Sequence, residues 1–420
     1  NTKQKPWRRL LSGYFRVFSW FVFVEVFTMA IEVDGWDVAL GVGLLVVLYL
    51  LWTPMVFHPP CKVLRENDDA KNMHKEKWDA IDLERVLEEK CPKTGKSYLV
   101  VGAGFLGCRM VHMLLLRGET RIKVLDIAKS PLPEQIAKRI EYIRGDVTNL
   151  GDLESALDGV DVVMFNAVYM CFHERGESLA PLAEAVNIGG IENMIKACKA
   201  KNISKLVYTS TSHVCLGDVP TVSLKMNEDS PLVTREESHN NYSWTKAIAE
   251  NHCIANNLSL CQDGKTKLEI GIIRPCSAVF GRGDRLMIDN IVERGLALCW
   301  TPLLCDFVYV ENLAFAHLLL EKTMLGPGNH STTGIPYCVS NAEPLTDYEF
   351  RIAAVTALSR DHGDVRLIHF QGVPLLLWMI SQLFELVRVF IPSFKLNSDL
   401  DFLTPAVMEI CKRNYVFDCS

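Results

Sequence analysis

The chain has 420 residues, 49% of them hydrophobic, and a formal net charge of −6. That length suits one large α/β body with additions, and mild acidity without a long basic run excludes nucleic acid as a partner. Its 14 cysteines stand singly, with no C-x-x-C pair, which fits reduced thiols facing a cytosol better than a disulfide or zinc framework.

Residues 38–57 carry no charge. About twenty residues at ~1.5 Å each match a hydrocarbon core of roughly 30 Å, so this stretch is expected to be a transmembrane helix. An earlier run, residues 14–31, is also rich in Phe, Val and Trp but holds Arg16 and Glu25. Lys3, Lys5, Arg8 and Arg9 precede it, Glu32, Asp34 and Asp37 lie between the runs, and Lys62, Arg65 and Lys71 follow. Basic outer flanks fit a hairpin with both ends in the cytoplasm; the alternative lays the first run flat in the interface. Residues 1–60 thus read as the anchor and 61–96 as a polar linker. Asn202, Asn241 and Asn257 open N-x-S sequons that fall inside a cytosol-facing fold and are chance matches on this reading.

From Ser97 strands alternate with helices. The apolar run Ser97–Val101 suits a buried parallel strand and leads into Gly102-Ala-Gly104-Phe105-Leu106-Gly107, then an apolar helix, then a strand ending in Asp126. The strand before, the helix after and the acid about twenty residues on are the setting this glycine spacing requires. Gly102 permits the tight turn, Gly104 lets the backbone approach a pyrophosphate, and Gly107 lets helix and strand pack. The phosphate charge would rest on helix N-terminal amides. Asp126 would accept from ribose hydroxyls and repel a 2′-phosphate, which selects NAD over NADP. Further β-α units through the strand starting at Lys205 predict a Rossmann-type, doubly wound parallel sheet over residues 97–280, with its site at the strand carboxyl ends.

The strand ending near Tyr208 is followed by Thr209-Ser-Thr-Ser212 and, some thirty residues later, by Tyr242-Ser-Trp-Thr-Lys246 opening a helix. Positions i and i+4 share a helix face. A phenol titrates near 10, and a neighbouring ammonium is expected to lower that value, so Tyr242 could take the proton of a substrate alcohol. A hydroxyl from the Thr211 region would hold the alcohol oxygen. His173, His213 and His317 have no spacing that suggests a metal site.

Taken together, VVGAGFLG, GDVTN, VNIGG, LVYTSTS, YSWTK, IRPCSAVFGRGD and DFVYVENLAFAH resemble the extended short-chain dehydrogenases/reductases. More narrowly they are similar to the 3β-hydroxysteroid dehydrogenase branch, which includes the sterol-4α-carboxylate 3-dehydrogenases. The resemblance runs from about Ser97 to the C-terminus. It implies Tyr242 as acid/base, Lys246 as its tuner and holder of the nicotinamide ribose, Thr211 in the place of the usual Ser or Thr, and Asn187 in the region supporting the proton path. It also implies Asp146 and Val147 at the adenine, Pro275 beside the nicotinamide carboxamide, and a mainly structural role for the segment 306–312. The sequence departs from the branch at Phe165-Asn-Ala167-Val168, where His-x-Ala-Ser or His-x-Ala-Ala is usual, in a loop bordering the cofactor.

Residues 281–420 are expected to build a smaller substrate lobe, with 371–392, apolar and sparsely charged, resting on or in the membrane. The function expected is NAD-dependent oxidation of a steroid or sterol 3β-hydroxyl on the cytoplasmic side of the endoplasmic reticulum membrane. A homodimer is possible on the resemblance. Two alternatives stand beside it: a nucleotide-sugar epimerase or dehydratase on the same scaffold, and a non-catalytic NAD-binding subunit of a membrane assembly.

Overall fold

The computed structural model describes residues 83–215 (bar 173, 176 and 178), 226–281, 304–326, 329–362, 404–410 and 414–419, with shorter pieces at 283–284, 287–288, 296–299, 366–369, 378–379, 381–385 and 387. The expected anchor at 1–60 and most of the 371–392 segment lie outside these residues. Among the described residues no helix is long and apolar enough to cross a membrane.

In chain order the main body runs α1 (Leu83–Lys90), β1 (Ser97–Val101), α2 (Phe105–Leu116), β2 (Arg121–Asp126), α3 (Glu134–Ala137), β3 (Glu141–Arg144), α4 (Leu150–Ala156) and β4 (Val162–Phe165). Then come α5 (Ala180–Ala183), a π-helical turn (Glu184–Gly189), α6 (Gly190–Ala200), β5 (Lys205–Thr209), α7 (Asn241–Asn256), β6 (Ser259–Leu260) and β7 (Lys267–Pro275). The rest comprises β8 (Ala278–Phe280), β9 (Leu296–Cys299), β10 (Leu304–Cys305), β11 (Phe307–Tyr309), α8 (Val310–Leu325), β12 (Pro336–Val339), β13 (Leu345–Thr346), α9 (Asp347–His362), β14 (Arg366–His369) and α10 (Pro405–Ile410).

The sheet order is β12-β7-β5-β4-β1-β2-β3, all parallel, with β6 antiparallel to β7. The direction of winding reverses between β1 and β4, and an open α/β sheet takes its ligand in the crevice at that reversal. The strands are apolar because both faces are covered: every residue of β1 is buried, and so is every residue of β7 after Lys267. One core packs α4, α6 and α7 against the sheet through Leu153, Met194, Ile195 and Ala249. The other packs α1, α2 and α8 through Leu87, Met110, Leu114 and Leu318.

Two boundaries differ from the sequence reading. Leu87 and Cys91 are fully buried in the second core, so the folded body includes α1 and starts by Leu83, inside the stretch read as linker. The nucleotide sheet does not end at residue 280: β12 pairs in parallel with β7, and α8 packs on α2 and β7. The chain leaves the sheet and returns to it. The smaller lobe gathers β8 with β11, β9 with β14 and β10 with β13. It is knit by Phe307 stacked on Phe350 at 4.1 Å between ring centroids, with Phe280 edge-on to Phe350 at 5.0 Å. The segment 414–419 threads back into the body, where Asp306 and Tyr415 exchange backbone bonds with their neighbours (Asp306 N to Tyr415 O and Tyr415 N to Leu304 O, both 2.7 Å).

Candidate active site

The glycine loop has the geometry its spacing predicts. Gly102 sits at φ +92°, and a Cβ there would come within 2.7 Å of the Ala167 amide nitrogen. A Cβ on Gly107 would lie 1.9 Å from the Gly102 carbonyl oxygen. Gly104 is the contrast: it is exposed, and nothing lies within 4 Å of the position a Cβ would take. As N-cap of α2 it offers no side-chain cap, so the first-turn amides, Phe105 and Leu106 among them, face an open cradle suited to a pyrophosphate. Asp126, at the carboxyl end of β2, accepts from Ala103 N at 2.6 Å and from Ala128 N at 2.8 Å, tying β2 to the loop. Two carboxylate oxygens have more lone pairs than these bonds use, so ribose hydroxyls can still be taken. Lys123 is committed elsewhere, donating to the Asp158 carbonyl at 2.8 Å.

The other expected cofactor residues line the same sheet edge. Asp146 follows β3 and accepts from Thr148 N at 2.9 Å, shaping the turn, while Val147 is buried in the first core. Ala167 abuts Gly102, and its neighbour Asn166 anchors the loop: Asn166 Oδ1 lies 2.5 Å from Thr209 Oγ1, which lies 2.8 Å from His317 Nε2. Burial pushes His317 down to about 4 and leaves it neutral. Pro275 ends β7, two residues past Ile273, which lies opposite Thr209 at the end of β5.

The catalytic set converges. Tyr242 lies in the first turn of α7, capped by Asn240, whose side chain accepts from Ser243 N at 2.7 Å. Its phenol is buried against Cys171 and Ala183, and the Thr211 side chain beside it favours the ionised form. Lys246 is buried one turn on, donates to the Thr209 carbonyl at 2.7 Å, and sits 4.2 Å above the centre of the Tyr208 ring. Asn187 is buried in the π-helical turn. Its amide accepts from Tyr169 N at 2.8 Å and donates to Tyr169 O and to Thr245 Oγ1, both at 3.1 Å. It joins the loop after β4 to α7, and π turns recur at functional sites because the extra residue re-aims a side chain.

One expectation is corrected. Lys246 does not lower Tyr242 here. Burial pushes the phenol up to about 12, and the Thr211 hydrogen bond only partly offsets this. The ammonium is engaged with Thr209 and the Tyr208 face, and burial pulls Lys246 itself down to about 7. In the cofactor-free protein desolvation outweighs the charge pairing that the Tyr/Lys spacing suggests.

Residues 99–367 match the 3-beta hydroxysteroid dehydrogenase/isomerase family. The chain belongs to that family. Among similar proteins is the Bos taurus short-chain dehydrogenase/reductase family 42E member 1, 31% identical over 273 residues, covering 63% of this chain and 68% of the relative. The Arabidopsis thaliana 3beta-hydroxysteroid-dehydrogenase/decarboxylase isoform 1 is 27% identical, over 79% of this chain and 74% of its own. The fold is shared with the Thermus thermophilus UDP-glucose 4-epimerase solved as a complex with NAD, at a TM-score of 0.51 and 22% identity over 74% of this chain and 98% of the other.

Family motifs do not announce every residue at the site. Ser212 Oγ accepts from Ser277 N at 2.9 Å, which commits it to backbone and leaves Thr211 as the hydroxyl beside Tyr242. Glu250 takes Arg274 through both carboxylate oxygens and Ser210 Oγ at 2.5 Å. That buried pair fixes α7 to β5 and β7. Its sequence signal was present, because Glu250 continues the Tyr242–Lys246 face by another four residues. His213 had no such signal. Its ring stands edge-on to Tyr242 at 6.0 Å and stacks on Tyr415 at 6.3 Å, with Nδ1 buried and without a hydrogen-bond partner among the described residues.

Proposed function

We propose that this protein oxidises the 3β-hydroxyl of a steroid or sterol to the ketone, using NAD. The observation that carries the reading is the Tyr242 phenol, buried beside Thr211 and one helical turn from a buried Lys246. The surroundings support a lipophilic substrate: Val168, Tyr169, Cys171, Phe172 and Ala183 pack about Tyr242. The uncharged stretch 38–57 supports an anchor in the endoplasmic reticulum membrane with the catalytic body on its cytoplasmic side, so that a bilayer-dissolved substrate reaches the site. Association as a homodimer is part of the same reading.

The cofactor is NAD. Gly102, Gly104, Phe105, Leu106 and Gly107 would hold its pyrophosphate, Asp126 the adenine ribose, Asp146 and Val147 the adenine, and Ala167, Lys246 and Pro275 the nicotinamide end. Bound NAD supplies a positively charged, two-electron hydride acceptor. Tyr242 takes the carbinol proton and Thr211 shares the carbinol oxygen, fixing its position. A phenol held at about 12 in the free protein needs positive charge nearby to ionise at neutral pH. Lys246, poised at about 7, is the protein's own source of it. Asn187 holds the loop after β4 against Thr245 and so sets the wall facing Tyr242.

Detergent-solubilised protein offered NAD or NADP with a panel of 3β-hydroxysteroids tests this by absorbance of the reduced cofactor. Growth with NAD that Tyr242→Phe abolishes supports the reading. No growth with any steroid, although NAD binds, overturns the substrate class.

A further inference from the structure

Cys276 follows Pro275 and is fully buried, and its Sγ lies 3.9 Å from Sγ of Cys419. Cys338 shares the same apolar pocket with Met226 and Phe417. Of the cysteines whose burial is described, Cys419 alone is exposed. The segment that carries it is held by backbone bonds, Met226 N donating to Val416 O and Asp418 N to Met226 O, by Phe417 N donating to Asp306 Oδ2 at 2.6 Å, and by the buried Phe417 ring.

We propose that Cys276 and Cys419 are an oxidisable dithiol, which a low-molecular-weight disulfide converts to a disulfide bond tying the C-terminal strand to the segment beneath Pro275. The two thiols differ in the way such a pair requires. Cys419 is accessible, with Ser340 Oγ at 3.4 Å, and its hydrogen bond with Cys276 draws its thiol down to about 7, so a good fraction is thiolate near neutrality. Hydrogen bonding with Cys338 and with Cys419, and then burial, hold the Cys276 thiol up. The thiolate is the nucleophile in thiol–disulfide exchange. Cys419 attacks one sulfur of the small disulfide, forming a mixed disulfide and releasing one thiolate. Cys276 then attacks Sγ of Cys419, giving its proton to solvent, and the second thiolate leaves. Two cysteine thiols are oxidised and one small disulfide is reduced to two thiols. Closing the pair from 3.9 Å to a bond of about 2.0 Å is a shift that the exposed Cys419, beyond the buried Phe417, can supply, while buried Cys276 stays in place.

The bond would bear on the site wall. Tyr415, four residues before Cys419, stacks on His213, which stands edge-on to Tyr242. Fastening Cys419 therefore fastens the segment whose Tyr415 holds His213 beside the catalytic phenol.

The test does not depend on turnover, so it succeeds or fails apart from the steroid reading. The full chain is incubated with glutathione disulfide, alkylated, and examined by intact mass and peptide mapping. The expected result is two fewer alkylated thiols than in the reduced protein, a peptide linking Cys276 to Cys419, and recovery with dithiothreitol. Cys419→Ser abolishes the link and Cys338→Ser keeps it. An unchanged thiol count, glutathione stalled on Cys419, or a link to Cys338 overturns the proposal.

Discussion

Replacing Lys246 with Met separates what this side chain does for function from what it does to stability. The lysine is buried, and burial pulls it from 10.5 to about 7. Below about pH 7 it is charged in both the folded and unfolded chains, and the folded state bears the full cost of the buried charge. At ~1.4 kcal/mol per pH unit that gap corresponds to about 5 kcal/mol. Between pH 7 and 10.5 the folded lysine is neutral while the unfolded one still holds its proton, so the cost shrinks as pH rises. Methionine fills similar volume and never carries charge. It forgoes the bond to the Thr209 carbonyl and the contact with the Tyr208 ring, each about 1 kcal/mol. Lys246→Met is therefore expected to be about 3 kcal/mol more stable than the parent at neutral pH, with the advantage gone by about pH 9, while turnover falls by roughly 100-fold or more. Urea unfolding of the cofactor-free proteins, followed by tryptophan fluorescence across that pH range, measures the gap. A gap that does not change with pH, or a less stable variant at neutral pH, refutes the reasoning.

Further outcomes follow from the same geometry. Gly107→Ala should lose both NAD binding and several kcal/mol of stability, because its Cβ meets the Gly102 carbonyl at 1.9 Å; Gly104→Ala should keep its unfolding midpoint but bind NAD more weakly in a calorimetric titration. Asp126→Ala should weaken NAD by about tenfold and narrow the margin over NADP, since it removes both the ribose acceptor and a repulsive charge; parallel titrations with the two cofactors check it. Burial lowers His317 from 6.5 to about 4, so the stability it contributes is complete above about pH 6.5 and is lost as pH falls toward 4. His317→Gln should flatten that part of the acid unfolding curve relative to the parent. Asn187→Ala, which removes three hydrogen bonds around the π turn, should cost about 2–3 kcal/mol and lower kcat more than it raises KM.

The glycine loop, Asp126 and the Tyr242–Lys246 pair were legible because each is a local pattern: a turn, a strand end, one helix face. The parallel sheet was legible because strands covered on both faces are continuously apolar, as β1 and β7 are. What stayed hidden depends on partners distant in sequence. Nothing near Leu83 says that α1 will bury Leu87 in the core, and β12 looks like part of the smaller lobe until it pairs with β7, sixty-odd residues back. The sign of the Tyr242 shift was misjudged for the same reason: residue spacing reports a neighbouring charge but not the loss of water around both groups. His213 gained its place through contact with Tyr242 and with Tyr415, the latter just over two hundred residues away.

The central claim is hydride removal from a carbinol carbon at Tyr242. The most direct measurement supplies a 3β-hydroxysteroid bearing deuterium on that carbon, together with NAD, and analyses the reduced cofactor by mass spectrometry. The account predicts deuterium in NADH and a 3-ketone in equal amount, both absent with Tyr242→Phe. Ketone formation without deuterium in the cofactor, or undiminished transfer by the phenylalanine variant, would contradict it.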